Sequence, residues 1–486
     1  MDWTSLRERL ERVVGPGAVV AGSDLTVYEY DASDEAIAGS HRPQLAVLPA
    51  STSEVAEVVR LAREAGVPVT PRGAGTGLAG GAIAARGGIV VVLTRMNHVL
   101  EINERDGYAI VEPGVINLEL SQVTTPRGYF FAPDPSSQRA CTIGGNVANN
   151  SGGPHCLKYG VTSPHILGLE VVLPSGDVIW TGGAAPEAPG IDLTGIIVGS
   201  EGTLGIVTKI MVRLTRNPES VNVLLAAFPT IEAGSNAVSA IIAAGILPAA
   251  LEMMDALTIQ AVEAAFHAGY PEDAGSVLLI EIDGLSESVA ESSESIAKLC
   301  YANDARQVRV ARSQAERDLL WLGRKAAFGA MGRLTPNYYL QDATVPRTKL
   351  PKTLQHVEDL SREFRLRIAN VFHAGDGNLH PLILFDRYEP GAIERVLHAG
   401  TELLTYCVEA GGTVSGEHGI GLEKKDYLTL IYSPDDLAAM AGLKLSFDPL
   451  QYFNPEKVFP TAFSCGEVAA IKSAGLAQPL GLADVV

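Results

Sequence analysis

The sequence predicts an α+β protein of two main domains, and three observations lead there. The chain has 486 residues, beyond the roughly 250–300 at which a single hydrophobic core stops growing. A strand–helix–strand opening is legible between residues 44 and 71, and short apolar strands bordered by glycine-rich turns continue to about residue 214. Around Arg216-Asn217-Pro218 the character changes, and longer apolar strands begin to alternate with helical segments. The expected layout is an N-terminal helical segment over 1–40, a first domain over 41–217, a second over 218–465 and a tail over 466–486.

Bulk composition narrows the class. With 47% hydrophobic and 19% charged residues the chain has ample core. A net charge of −19 argues against nucleic acid or an anionic membrane surface as principal partner. The start, MDWTSLRERLERVVG, is an amphipathic charged helix without the apolar centre of a signal peptide. The apolar run from Ile241 to Ala250 is too short and too broken to cross a bilayer. Cysteines 141, 156, 300, 407 and 465 are scattered and none forms a CxxC pair. That usage fits a reduced cytoplasmic protein and excludes an iron–sulfur cluster held by this chain alone.

The elements follow in order. QLAVLP reads as a strand; Ser51 and Glu54 then fit a capping box. Val55, Val58, Val59 and Ala62 make a helical face that Gly66 and Pro68 end. VPVTP, IVVVL and AIVEPGV are further strands, as are ILGLEVVLPSGDVI and IIVGSEGTLGIVTKIMVRL with their bordering turns. In the second domain, strands VNVLLAAF and SVLLIEIDG alternate with helices EAGSNAVSAIIAAG and ESVAESSESIAKLCYAN. The tail beyond about Ala469 has little pattern.

Gly75, Gly77 and Gly80 spell GxGxxG, but no helix can follow directly and no acidic residue stands where a ribose would need one, so the Rossmann reading fails. The same glycines suit an anion-binding nest of successive amides over residues 72–77, to which Arg72 and Thr76 add side-chain donors. The bland alternative is a glycine-rich turn. A second small, amide-rich stretch, CTIGGNVANNSGG, reads as another such loop, and the pair suggests a long phosphate-bearing cofactor laid along the backbone.

Residues 372–381, FHAGDGNLHP, read as a hairpin turning on Asp376-Gly377, the pair that type I′ turns favour. His373 then faces His380 on one side of the strands, with Cβ atoms roughly 5 Å apart. Two imidazoles so placed can close on a divalent ion, with Glu417 or His418 from GGTVSGEHGIG completing the shell. A pair of surface histidines beside a sharp turn is the alternative; the added carboxylate and third histidine favour a metal site.

Several of these segments also resemble a known family. PRGAGTGLAGG, PDPSSQRACTIGGNVANNSGGPHCLKYG and GSEGTLGIVTKIMVRL are similar to the FAD-binding domain of the vanillyl-alcohol oxidase/p-cresol methylhydroxylase flavoproteins. HAGDGNLH and SGEHGIG resemble its FAD-linked D-2-hydroxy-acid dehydrogenase branch, which includes the FAD subunit of glycolate oxidase and D-lactate dehydrogenase. The resemblance implies a two-subdomain FAD-binding domain, then an α+β, ferredoxin-like substrate domain and a C-terminal helical segment. By position it implies that Pro71, Arg72, Gly73, Ala74, Gly75, Thr76 and Gly77 hold the FAD pyrophosphate. Pro133, Asp134, Ser137, Thr142, Gly144, Gly145, Asn146 and Asn149 would line the flavin and ribityl chain, and Gly199, Glu201, Gly202 and Ile206 the adenine side. FAD is expected to be non-covalent, leaving His155 unmodified. His373, His380 and Glu417 would bind a divalent metal, zinc or manganese; His418 would be the general base and Arg324 of WLGR would grip the substrate carboxylate.

The expected reaction is oxidation of a small D-2-hydroxy acid, with hydride passing from C2 to flavin N5 while metal and His418 assist loss of the hydroxyl proton. Relatives acting on D-2-hydroxyglutarate carry a lysine and an asparagine where this chain has Leu340 and Leu382, so a monocarboxylate is expected: glycolate first, D-lactate as the alternative. A metal hydrolase with a nucleotide-binding domain, and a flavoprotein subunit that only scaffolds a complex, are the competing classes. Expected partners are an iron–sulfur subunit and a second flavin-type subunit of a glycolate oxidase complex, or another electron acceptor. The expected location is cytoplasmic, peripheral to the inner membrane through those partners.

Overall fold

The computed structural model describes residues 1–33, 39, 41–185 and 189–460, so Cys465 and the patternless tail lie outside the described residues. These residues divide into two compact units: one of residues 1–151, 161–216 and those from 417 on, the other of residues 152–160 and 217–416.

The first unit carries strands β1 (Val19–Val20), β2 (Leu45–Val47), β3 (Val69–Arg72), β4 (Ile89–Val92), β5 (Val99–Asn103), β6 (Tyr108–Val111), β7 (Tyr129–Phe130), β8 (Ile166–Val172), β9 (Val178–Gly182), β10 (Ile206–Arg213) and β11 (Thr215–Arg216). One sheet has the order β1-β2-β4-β3, with β4 parallel to both neighbours. Helix Thr52–Ala65 makes the crossover from β2 to β3; the side chain of Ser51 accepts from the amide of Glu54, and Gly66 ends it in the left-handed region. The reciprocal arm of the expected box goes one residue further back, since Glu54 Oε2 accepts from Ala50 N at 2.8 Å. Its apolar face (Val55, Val58, Val59, Ala62) closes a core with Leu6 and Leu10 of helix Trp3–Val14. The second sheet is antiparallel, in the order β5-β6-β10-β8-β9.

Two segments expected as extended or looped are helical. Residues 143–149 form helix Ile143–Asn149, because Thr142 caps it by accepting from Gly145 N and small side chains pack closely. Within the segment expected to be strand and turns, Leu193–Ile197 is a short helix capped by Asp192.

The second unit is built on a nine-stranded sheet whose pairings are all antiparallel. Its strands are β12 (Ser220–Phe228), β13 (Ala250–Asp255), β14 (Ser276–Gly284), β15 (Gln307–Val310), β16 (Asn337–Leu340), β17 (Ala343–Thr344), β18 (Arg367–His373), β19 (Asn378–Leu379) and β20 (Pro381–Phe385). Met254, Val277, Leu279, Ala369, Val371 and Leu382 form an apolar cluster with Ile259 and Val262 of helix Ala256–Phe266 and Leu320 of helix Gln314–Lys325. Register places those strand residues on one face, since directly paired residues and residues two apart along a strand share a side. The polar residues described next share that face.

The expected hairpin is corrected by this register. His373 pairs with Asn378, not His380, and the connection is a loop over 374–377 in which only Gly377 has positive φ, at 83°. A type I′ turn needs positive φ at both central residues. Asp376 instead accepts from Asn378 N at 3.1 Å, the local side-chain turn that Asp favours. His380 follows Asn378 by two, so both histidines still point to one side.

Candidate functional site

Pairing across the second unit's sheet generates a polar row. Glu252 on β13 pairs with His373 on β18, His373 with Asn378 on β19, and Asn378 with Thr344 on β17. The same register sets Asp342 beside His380. The imidazoles of His373 and His380 are nearly perpendicular, with ring centroids 5.0 Å apart, and both are buried. Asp342 Oδ1 lies 3.4 Å from His380 Nε2, while Oδ2 accepts from Ser415 Oγ at 2.7 Å and Gly416 N at 3.0 Å. This carboxylate therefore fixes the chain at the two residues that precede Glu417 and His418.

Arg324 is 1% exposed. It sits in the last turn of helix Gln314–Lys325, with Nη2 2.6 Å from Glu252 Oε2. The same carboxylate accepts from His373 Nδ1 at 2.8 Å through Oε1 and 2.9 Å through Oε2. Burial alone would raise the Glu252 carboxyl, but His373 and Arg324 beside it outweigh that and hold the group below the usual carboxylate range. Removing one member of such a buried pair costs about 3–5 kcal/mol. Three residues earlier on the helix, Trp321 donates through Nε1 to Glu281 at 2.6 Å and stacks on His155. His155 in turn bonds Glu281 at 3.0 Å, so residues 152–160 belong structurally to this unit.

In the first unit the three glycine-rich segments converge. A Cβ built on Gly73 would lie 2.4 Å from Thr142 Oγ1, and one on Gly77 3.5 Å from Asn149 Nδ2. Gly199 N and Glu201 N donate to Val147 O and Ala148 O, each at 2.8 Å. A Cβ on Gly202 would meet Pro71 at 2.4 Å, and Ile206 begins β10 fully enclosed. Asn117 Nδ2 bridges Pro133 O and Asn146 Oδ1, both at 2.9 Å. Gly144 N donates to Pro113 O at 2.8 Å, and Ser137 O accepts from Ala140 and Cys141 amides. Gly73 and Gly77 thus lie as bare main chain beside Thr142 and Asn149, the close-approach surface that a flat cofactor requires.

Two side chains in this unit act differently from expectation. The Arg72 guanidinium donates to Tyr30 O at 2.8 Å and Val27 O at 3.3 Å and underlies Gly75, so it braces the loop from behind. Glu201, in the left-handed region at φ 52°, accepts from Ile420 N at 2.7 Å and Gly421 N at 2.8 Å. It therefore holds the main chain two residues beyond His418. Burial pushes its carboxyl up despite those amides and the charge of Lys457. Lys457 is itself desolvated, which pulls it down to about 8.

Sequence reasoning missed Glu252 and the structural part of Asp342. The signal for Glu252 was present: an acidic residue inside the apolar run AALEMM demands buried partners.

Two protein families match this chain. Residues 43–182 match an FAD binding domain family, and residues 217–458 match the family of FAD linked oxidases, C-terminal domain. The glycolate oxidase subunit GlcD of Escherichia coli (strain K12) is 45% identical over 97% of this chain and 94% of its own length. GlcD of Bacillus subtilis (strain 168) is 41% identical over 93% of this chain and 96% of its own. A D-lactate dehydrogenase of Anaerostipes hadrus is 33% identical over 92% of this chain and 95% of its own. Among solved structures, p-cresol methylhydroxylase with substrate bound superposes with a TM-score of 0.79 at 18% identity, covering 95% of this chain and 97% of that one. The shared fold is that of the vanillyl-alcohol oxidase/p-cresol methylhydroxylase flavoproteins.

Proposed function

The chain belongs to the FAD-linked oxidases, and we propose that it oxidises a small 2-hydroxy acid, glycolate to glyoxylate, with D-lactate to pyruvate as the alternative. The observation that carries this reading is the polar row of the second unit, where His373 and His380 adjoin beside an enclosed Arg324. FAD is the cofactor; residues 71–77, 133–149 and 199–206 would hold it, and when bound it would supply the hydride acceptor. The glycine cradle fits it: side chains at Gly73, Gly144 and Gly202 would collide with neighbours that lie at its back.

His373, His380 and Glu417 would hold a divalent cation, zinc or manganese, which supplies Lewis-acid polarisation of the substrate oxygen. The donor set fits, with two buried imidazoles, one backed by a carboxylate. Asp342 fixes Ser415 and Gly416, and through the chain it sets where Glu417 starts. His418 takes the hydroxyl proton. Arg324 grips the substrate carboxylate and orients C2. Leu340 and Leu382 pair directly in the sheet and pack in its apolar cluster, which supports a substrate without a second carboxylate. The relatives from E. coli and B. subtilis are named as subunits. Electrons would accordingly leave through an iron–sulfur subunit and a second flavin-type subunit. Among the described residues no helix is long and apolar enough to cross a membrane; the reading keeps the chain cytoplasmic, with any membrane association through partners.

Replacing the base tests the assignment. His418→Ala should retain FAD yet slow anaerobic flavin reduction by glycolate about 10²–10⁴-fold. Reduction at the wild-type rate would remove His418 from that role.

A further inference from the structure

Glu252 touches no reacting group in the reading above, yet it is fully buried on a strand whose neighbours Leu251, Met253 and Met254 are apolar and buried too. An ionised carboxylate only accepts hydrogen bonds. With both oxygens within 2.9 Å of His373 Nδ1, it requires that nitrogen to carry the proton. In the neutral ring the lone pair then resides on Nε2, the atom a cation needs. On its other side Glu252 takes Arg324 at Nη2, while Arg324 Nε, also buried, has no hydrogen-bond partner among the described residues. The guanidinium is thus held by one edge with a donor left for an anion.

We propose that Glu252 is a positioning residue that sets both arms of the site, fixing His373 as the Nδ1–H tautomer toward the cation and holding Arg324 for the substrate carboxylate. The proposal rests on the functional reading above. It explains why a carboxylate stands there rather than the isosteric amide. Glutamine offers one acceptor oxygen and one donor group. With its oxygen in the Oε1 place, its NH2 confronts Arg324; with its oxygen in the Oε2 place, within reach of both partners, its NH2 stands 2.8 Å from His373 Nδ1 and opposes the proton there. Either orientation loses one arm.

The test uses the full chain, FAD-loaded and metal-depleted, titrated calorimetrically with manganese chloride. Wild type should bind Mn²⁺, His373→Asn should not, and Glu252→Gln should bind about 10–100-fold more weakly while keeping its flavin. The same variant should raise the KM for glycolate, and Glu252→Asp should recover part of both losses. Mn²⁺ binding by Glu252→Gln equal to wild type, with His373→Asn still defective, overturns the proposal and leaves the functional reading standing. Wild type that binds neither Mn²⁺ nor Zn²⁺ removes the metal reading and this inference with it. A measurement on wild type alone guards against a variant that fails to fold. In ¹⁵N-histidine spectra of the metal-free chain, His373 should be the Nδ1–H tautomer, and the Nε2–H tautomer would overturn the proposal.

Discussion

In the first unit the groups that converge are mostly main chain: Gly73 to Gly77, the Gly144–Gly145 amides and the Gly199–Gly202 turn, with side chains such as Arg72 and Asn117 bracing from behind. In the second unit the converging groups are side chains, lined up by strand register from Glu252 through His373 to Asn378 and Thr344. A main-chain site tolerates no added volume but asks little of side-chain chemistry. A register-built site does the reverse: each member depends on a specific functional group, while the backbone beneath is ordinary antiparallel sheet. Substitutions in the two units should therefore fail in different ways.

The largest separation is expected between His380→Ala and Gly144→Ala. Loss of an imidazole forfeits several kcal/mol of charge stabilisation, at least about a hundredfold in the rate of flavin reduction, with flavin content unchanged. Stopped-flow absorbance beside a flavin assay measures both. Gly144→Ala would place a Cβ 2.6 Å from Pro113 Cβ and 2.8 Å from its carbonyl oxygen. It should lower stability by about 1–3 kcal/mol and release FAD while Mn²⁺ binding is kept. Flavin loss in the histidine variant, or full flavin in the glycine variant, would break the contrast.

A smaller effect should sharpen it. Leu340→Lys places a cation beside Leu382 and should shift kcat/KM toward D-2-hydroxyglutarate over glycolate by about tenfold, the value of pairing one otherwise unpaired polar group. An unchanged ratio would mean that these leucines do not line the substrate.

A further test concerns pH in the first unit. Burial lowers Lys457 from 10.5 to about 8. Between those values the unfolded chain holds a proton that the folded chain has released, so stability rises with pH across the window. The stability difference between wild type and Lys457→Met, from denaturant unfolding, should grow in favour of wild type from pH 8 to pH 10 by at most about 1.4 kcal/mol per unit. A flat difference would contradict the desolvated lysine.

Much of this contrast was legible in the residues. Ser51, Glu54 and Gly66 announce the crossover helix because caps are local chemistry. The glycine segments announce close approach because few other residues permit it. Less legible was anything set by long-range pairing. The sequence places the histidines either side of a two-residue turn, yet β18 and β19 fix a longer loop in which Asp376 serves its own backbone. Helix Ile143–Asn149 was hidden because its small residues carry no amphipathic period. Glu252 meets Arg324 only through a helix packed across the sheet, 72 residues away in sequence, which no local pattern encodes.

The central claim is that this chain reduces its own FAD with a small 2-hydroxy acid. Anaerobic mixing of the purified, metal-loaded chain with glycolate, D-lactate, L-lactate and D-2-hydroxyglutarate tests it most directly, read as loss of the oxidised flavin band. The expected result is prompt bleaching by glycolate, or by D-lactate in the alternative, with little or none from L-lactate and D-2-hydroxyglutarate. A flavin that none of the four reduces, or that D-2-hydroxyglutarate reduces fastest, would contradict it.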